Sequence, residues 1–235
     1  NQGVNTVLLA RDETALNDVL KKLDTSLGQK HQFITADFNI PENLEKKITD
    51  FLSTFDRDVE ILINNTGGPK PGPIINASSS EFINTFNQHV ICNHILVNSL
   101  INKMKNANYG RIINVISTSV KQPIKGLGVS NTIRGAVASW AKTLSFELGE
   151  FGITVNNVLP GYTDTDRLHE IFKKKSKASG IDIESIIIEA QTQIPLKRFA
   201  NPSEIAKAIC FLASPEADYI NGVNLPVDGG RLQTL

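Results

Sequence analysis

Apolar residues along the chain fall into short continuous runs separated by longer segments with helical spacing. Val4 to Ala10, Gln32 to Ala36, Val59 to Ile63, Arg111 to Ile116, Ile153 to Leu159 and Val223 to Val227 read as strands. Runs that are apolar throughout, rather than alternating, belong to strands covered on both faces. Between the first two, Leu16, Val19, Leu20, Leu23 and Leu27 recur on one face and predict a helix over Asp12–Leu27, stopped by Gly28. Further helices are expected from Pro41 to about Phe51, from about Ser79 to Met104 and from Ser130 to Phe151. Asn201-Pro202-Ser203-Glu204 has a capping side chain, a proline at the first helical position and an acid in the first turn, so a helix runs from there to about Ala213. Residues 164–193 predict short helices around a solvated basic run, Lys173-Lys174-Lys175 and Lys177.

Strand and helix alternate from end to end, and no repeat or low-complexity linker divides the chain. The expected architecture is α/β: one doubly wound, Rossmann-like domain over residues 1–235 with a parallel sheet covered on both faces. Ligands in such sheets bind beyond the carboxyl ends of the strands.

Composition narrows the picture. Of 235 residues, 40% are hydrophobic and 20% charged, which is ordinary globular usage. The 24 Lys+Arg balance the 24 Asp+Glu, so no basic footprint points to nucleic acid or an anionic membrane. No apolar run approaches the roughly 20 residues of a membrane span. Cys92 and Cys210 cannot form a disulfide framework and fit a reducing, cytoplasmic setting. Cys92, His94, His169 and Cys210 show no metal-ligand spacing, so no metal is assigned.

Four motifs in register carry a resemblance. Ile61-Leu62-Ile63-Asn64-Asn65-Thr66-Gly67, Gly110-Arg111-Ile112-Ile113-Asn114, Ile153 through Gly161, and Asn221-Gly222 with Val227-Asp228-Gly229-Gly230 resemble the short-chain dehydrogenase/reductase family. The chain looks most like its 3-oxoacyl-carrier-protein-reductase branch, as a divergent member. The resemblance implies a nicotinamide dinucleotide as cofactor, a small carbonyl or alcohol as substrate, and a homo-oligomer, dimer or tetramer.

By the same resemblance Arg11, after the first strand, faces the 2′-phosphate of NADP, so NADP(H) is favoured over NAD(H); a guanidinium pairs with a phosphate as an acid would with a ribose diol. Asp37 falls near the adenine, and Asn64, Thr66 and Gly67 near adenine and ribose. Pro160, Gly161 and Thr165 face the nicotinamide, and residues 164–193 take the place of the substrate lid. Ile181, Ile183, Ile186, Ile187 and Ile188 admit an acyl chain there, or equally serve packing.

The catalytic half departs from the pattern. Ser117 stands where the family has its serine, but Ser130 replaces the tyrosine and Arg134 the lysine four residues on. Counting back from Met104 along an uninterrupted helix puts His89 in the place of the family asparagine. A serine hydroxyl is far less acidic than a phenol, and an arginine cannot relay a proton. Two functions follow. One is a carbonyl/alcohol oxidoreductase in which Ser117 and Ser130 bind the substrate oxygen, Arg134 orients the ribose, and water or His89 supplies the proton. The other is a dinucleotide-binding protein without turnover, used for sensing or assembly. The resemblance further implies that about 25–30 residues precede Asn1, forming a strand, a glycine-rich turn and a helix whose end matches Asn1-Gln2-Gly3.

Overall fold

The computed structural model describes residues 3–234; Asn1 and Gln2, where the sequence places the end of a helix, lie outside them. Strands β1 (Val7–Ala10), β2 (Gln32–Thr35), β3 (Ile61–Asn64), β4 (Gly110–Val115), β5 (Ile153–Pro160) and β6 (Asn224–Val227) alternate with helices. The helices are α1 (Glu13–Leu20), α2 (Pro41–Thr54), α3 (Ser79–Phe86), α4 (Cys92–Ala107), α5 (Gly128–Leu148), α6 (Asp166–Ser179), α7 (Ile183–Thr192) and α8 (Pro202–Ala213).

All pairings are parallel, as fully apolar strands require. They form two groups rather than one continuous sheet: β1 pairs β2, and β3, β4, β5 and β6 pair in that order. No hydrogen-bonded ladder joins β1 to β3. Val7 and Leu9 of β1 and Leu62 of β3 nevertheless share one apolar cluster with Leu44 and Ile48 of α2 and Leu96 of α4. A second cluster joins Val97 and Leu100 of α4, Ile112 of β4, Ala141 of α5 and Val155 of β5. On β4 the next residue, Ile113, packs instead with Val158 of β5 and Ile205 and Leu212 of α8, so helices cover both faces of the four-stranded group. Among the described residues no helix is long and apolar enough to cross a membrane.

Two helices differ from the sequence pattern. The first ends at Leu20 instead of Leu27, because the Asp24 side chain accepts a hydrogen bond from Ser26 N (2.9 Å) and Gly28 turns with φ +80°. Such local side-chain bonds compete with the helix ladder. The long helix expected from Ser79 to Met104 is interrupted by a π-helical turn, Asn87–Ile91, between α3 and α4. The turn changes which face the residues on either side of it occupy, and turns of this kind occur often at functional sites.

The proline-rich loop is tied to the start of α5, which carries Ser130. Gly72 N donates to Gly126 O (2.7 Å) and Gly128 N to Gly72 O (3.2 Å). A methyl on Gly128 would lie 2.5 Å from Ile74 Cα and 2.7 Å from Ile74 N, so backbone must move. Gly128→Ala is expected to cost about 2 kcal/mol by overpacking, lowering the melting temperature by about 4–8 °C. Gly135→Ala, on the same helix with nothing within 4 Å, serves as the control and should not lower it. Equal melting of both variants would show that the approach of Ile74 carries no constraint.

Candidate active site

The parallel register brings the carboxyl ends of β3, β4 and β5 to one edge. Asn64 ends β3, Ser117 follows β4, and Pro160 ends β5. A row of asparagines crosses the sheet just inside this edge. Asn64 Nδ2 donates to Asn114 Oδ1 (2.9 Å), Asn114 Nδ2 to Asn157 Oδ1 (2.9 Å), and Asn157 Nδ2 to Asn224 Oδ1 (2.8 Å). Asn64, Asn114 and Asn157 are buried, so each amide satisfies its neighbour where water cannot. Asn64 Oδ1, at the β3 end of the row, is buried without a partner. The row was missed in the sequence, although four strands each carry an asparagine in paired register.

Helix α5 adds Ser130 in its first turn and Arg134 in the next, one above the other on the same face. Arg134 is 8% exposed. Its Nη1 donates to Val115 O (3.0 Å), at the end of β4, and its Nη2 to Thr66 O (3.1 Å), in the loop after β3. It thereby pins together the two loops that carry Ser117 and Gly67. Burial first, and the neighbouring Arg167 second, lower its pKa to about 10, which still leaves it charged at neutral pH. Ser117 caps the short 3₁₀ turn that follows, its hydroxyl accepting from Ser119 N (3.1 Å).

The π-helical turn presents His89 to the same place. Its ring is 2% exposed, and Nε2 has no hydrogen-bond partner. Burial, then the charges of Arg134 and Arg167, push its pKa down to about 3 against the opposing pull of the Gly67 backbone. His89 is therefore neutral at pH 7. The resemblance sets it in the place of the family asparagine, but at that pH it lacks the acidic imidazolium proton.

The cofactor candidates divide between the two strand groups. Arg11 follows β1 and is exposed; Asp37 follows β2, its carboxylate accepting from Asn39 N (2.9 Å) and Nδ2 (2.7 Å). Pairing of Ala10 with Thr35 and the bond from Ala36 N to Ala10 O (3.0 Å) keep these two positions adjacent. Thr66 and Gly67 belong to the β3 side. Gly161 closes against β6: its N donates to Val227 O (3.0 Å), and a methyl there would lie 2.7 Å from Asp228 Cα. Thr165 caps α6, accepting weakly from Leu168 N (3.4 Å).

Sequence reasoning missed Arg167. It lies two residues beyond Thr165 in the first turn of α6 and reaches back to the β3 loop, its Nη2 donating to Gly68 O (2.9 Å) and Pro69 O (3.1 Å). The expected lid segment is α6 and α7 packed together. Leu168, Phe172, Ile186 and Ala190 are buried between them, with Ile183 and Ile187 alongside. Most of the isoleucines offered for an acyl chain are thus used in packing, while Ile181 and Ile188 remain exposed.

Among the described residues no group of three His, Cys, Asp or Glu could hold a metal ion. Cys92 is buried and its thiol is pushed up to about 12, mainly by burial, so it carries no nucleophile here. A cavity of about 500 Å³ opens at the amino ends of β4 and β5, lined by Tyr109, Arg111, Thr154 and Asp218, and contains none of these candidates.

Parallel strands alternating with helices on both faces, with a glycine loop after β3, define a Rossmann-type α/β fold. Residues 1–231 match the family model described as enoyl-(acyl carrier protein) reductase, and the chain belongs to this short-chain dehydrogenase/reductase family. It is 30% identical over 177 residues to the NADPH-dependent reductase BacG of Bacillus subtilis, covering 75% of this chain and 68% of that protein. It is 30% identical over 207 residues to the 3-oxoacyl-[acyl-carrier-protein] reductase FabG of Vibrio cholerae, covering 87% and 79%. Among solved structures, L-sorbose reductase from Gluconobacter frateurii, complexed with NADPH and L-sorbose, superposes with a TM-score of 0.89 at 28% identity, covering 98% and 88%.

Proposed function

We propose that this chain is an NADP(H)-dependent oxidoreductase that interconverts a carbonyl and an alcohol at a site with an altered proton donor. The observation that carries the reading is Arg134 bridging Thr66 O and Val115 O, because it builds a fixed cationic corner beside Ser117 and Ser130. The residues fit a dinucleotide. Gly67 leaves room beside it, since a methyl there would meet nothing nearer than Arg167 Nη1 at 3.9 Å. Arg11 and Asp37 would hold its adenosine end, and Arg11 favours the 2′-phosphate of NADP(H) over NAD(H). Relatives named as NADPH-dependent reductases support that preference. Pro160, Gly161 and Thr165 would flank the nicotinamide.

Bound NADPH supplies the hydride. Ser117 and Ser130 hydrogen-bond the substrate oxygen and hold the carbonyl in place, and positioning of this kind accounts for a large part of rate enhancement. Arg134 keeps its charge and orients the ribose through N–H donors. The proton comes from bulk solvent, relayed by water, since neutral His89 and an unaided serine hydroxyl are both far too weakly acidic to act as the acid at pH 7. We read residues 1–235 as one domain with 164–193 as its substrate lid, acting in the cytoplasm. Phe146 on α5, 77% exposed, supports a homo-oligomer formed through that helix. A 3-oxoacyl thioester is one substrate class to try, in view of the similarity to FabG.

The test is steady-state NADPH oxidation by the full-length protein with ketones, aldehydes, diketones and acetoacetyl thioesters. Turnover of at least one carbonyl is expected; NADPH binding with no turnover on any would favour the second reading, a dinucleotide-binding sensor or assembly partner. That reading draws on Ser130 and Arg134 standing in place of tyrosine and lysine. The double change Ser130→Tyr with Arg134→Lys separates the two further. Under the oxidoreductase reading it should alter the rate of an existing reaction, and the appearance of activity where the parent has none would sink that reading.

A further inference from the structure

Arg134 presents a physical anomaly. A buried charge is normally paired, because leaving it without a counter-ion in a poorly solvated interior is costly. Arg134 is buried, yet its partners are two backbone carbonyls, Val115 O and Thr66 O. None of the ion pairs among the described residues includes Arg134 or Arg167. A second guanidinium lies close by. The Nη2 atoms of Arg167 and Arg134 are 3.2 and 3.8 Å from the point that a methyl on Gly68 would occupy. Both bonds from Arg167 use Nη2, to Gly68 O and Pro69 O, so Nη1 makes none among the described residues. The third member is His89, 2% exposed with an unpartnered Nε2, whose ring feels both arginine charges.

Two cations of like sign, held together by backbone carbonyls and with no carboxylate within 4 Å among the described residues, repel each other. An oxyanion between them relieves that repulsion and accepts charge-assisted hydrogen bonds from planar N–H forks. Lysine in either place would offer only a point charge. The position identifies the source of the anion. Arg134 lies one helical turn from Ser130, beside the place proposed for the carbonyl. Arg167 stands on α6, the lid, rather than on the strand group that carries Arg11.

Resting on the oxidoreductase reading above, we propose that Arg134 and Arg167 clamp a carboxylate of the substrate over Gly68, so that the carbonyl compounds taken by this site are oxo acids. Arg134 is the fixed jaw, anchored in the sheet edge. Arg167 is the jaw carried by the lid helix, and its bonds to Gly68 O and Pro69 O hold α6 against the loop.

The experiment compares matched pairs that differ only in charge: pyruvate with methyl pyruvate, acetoacetate with methyl acetoacetate, and levulinate with methyl levulinate. Steady-state NADPH oxidation by the full-length protein is measured for each, together with NADPH binding by fluorescence, in the parent, Arg167→Gln and Arg167→Lys. At least one acid is expected to exceed its ester about tenfold or more in kcat/KM. Arg167→Gln should bring that ratio to near one, chiefly through KM, and Arg167→Lys should restore part of it. Turnover of esters with no advantage for any acid would overturn the clamp and leave the oxidoreductase reading standing. A tenfold weakening of NADPH binding in Arg167→Gln, with the acid-to-ester ratio unchanged, would assign the anion to a coenzyme phosphate and also overturn it. Turnover of no acid and no ester would overturn the clamp. If the ketone, aldehyde and thioester panel also fails, the oxidoreductase reading falls with it.

Discussion

Replacing Arg134 by methionine is expected to lower kcat/KM about 100-fold or more while moving the melting temperature by only a few degrees. The two effects separate because the side chain does two opposed things. Its hydrogen bonds to Val115 O and Thr66 O lock the loops that carry Ser117 and Gly67. Hydrogen bonds from a charged donor are worth about 1.5–3 kcal/mol each. Losing the pair therefore accounts for the roughly 2.7 kcal/mol that a hundredfold rate loss represents. Folding is different, since burying the cation carries a desolvation penalty of several kcal/mol that the variant no longer bears. Methionine also fills much of the same space without a charge. Arg134→Lys should retain the charge yet fail to span both carbonyls, because an ammonium lacks the planar fork. NADPH oxidation and thermal melting of the same preparations decide the matter. Activity within a few-fold of the parent would show that the loops are held by other contacts.

The second large effect concerns acid. His89 has a pKa of about 3 in the folded protein, through burial and the charges of Arg134 and Arg167, against about 6.5 in the unfolded chain. Between those values the unfolded state binds more protons than the folded one, so stability falls as pH falls. The contribution is fully present above about pH 6.5 and is lost progressively towards pH 3. At about 1.4 kcal/mol per pH unit, this one ring removes about 3 kcal/mol between pH 6.5 and 4. Urea unfolding of the parent and of His89→Asn at pH 7 and pH 4 isolates it, because the other titrating groups are common to both. The difference in stability between parent and variant should move by about 3 kcal/mol in favour of the variant at the lower pH. An unchanged difference would mean that His89 gains solvent or a partner that lets it charge. The same physics shapes catalysis: a pH–rate profile should show no step near 6.5 that His89→Asn removes.

The two effects bear on how much of this protein can be read from its sequence. The buried strands were legible because each is a short apolar run bounded by turn residues, and such a run fits little except a parallel sheet covered on both faces. The start of α8 was legible because Asn201, Pro202 and Glu204 each satisfy a different demand of a helix N-terminus, and the capping box forms as the pattern requires. The end of α1 was not, since apolar Leu23 and Leu27 continue the helical spacing while Asp24 and Ser26 make a competing local bond. The π-helical turn at Asn87–Ile91 was hidden for a related reason. One extra residue in a helical turn changes no residue type, only which face the following residues occupy.

The candidate site divides along the same line. Ser117, Ser130 and Arg134 were singled out by the family resemblance, counting forward from Gly110, and the structure sets Ser117 just after β4 and Ser130 and Arg134 on one face of α5. The charge state of His89 could not be read this way, since its causes are burial in the folded core and then the approach of two arginines 45 and 78 positions away in the chain. Arg167 left no signal at all: an exposed arginine in a first turn is ordinary until α6 folds back on Gly68.

By itself, then, the sequence determined the strand–helix alternation and the edge of the sheet where the candidate residues gather. These depend on local spacing and on where turn residues end each apolar run. Only the tertiary structure decided the division of the strands into two groups, the asparagine row, the neutral His89 and the paired guanidiniums at Gly68. Each of those depends on how closely groups distant in the chain approach one another out of water, and electrostatic and hydrogen-bond energies are set by that distance and burial rather than by composition.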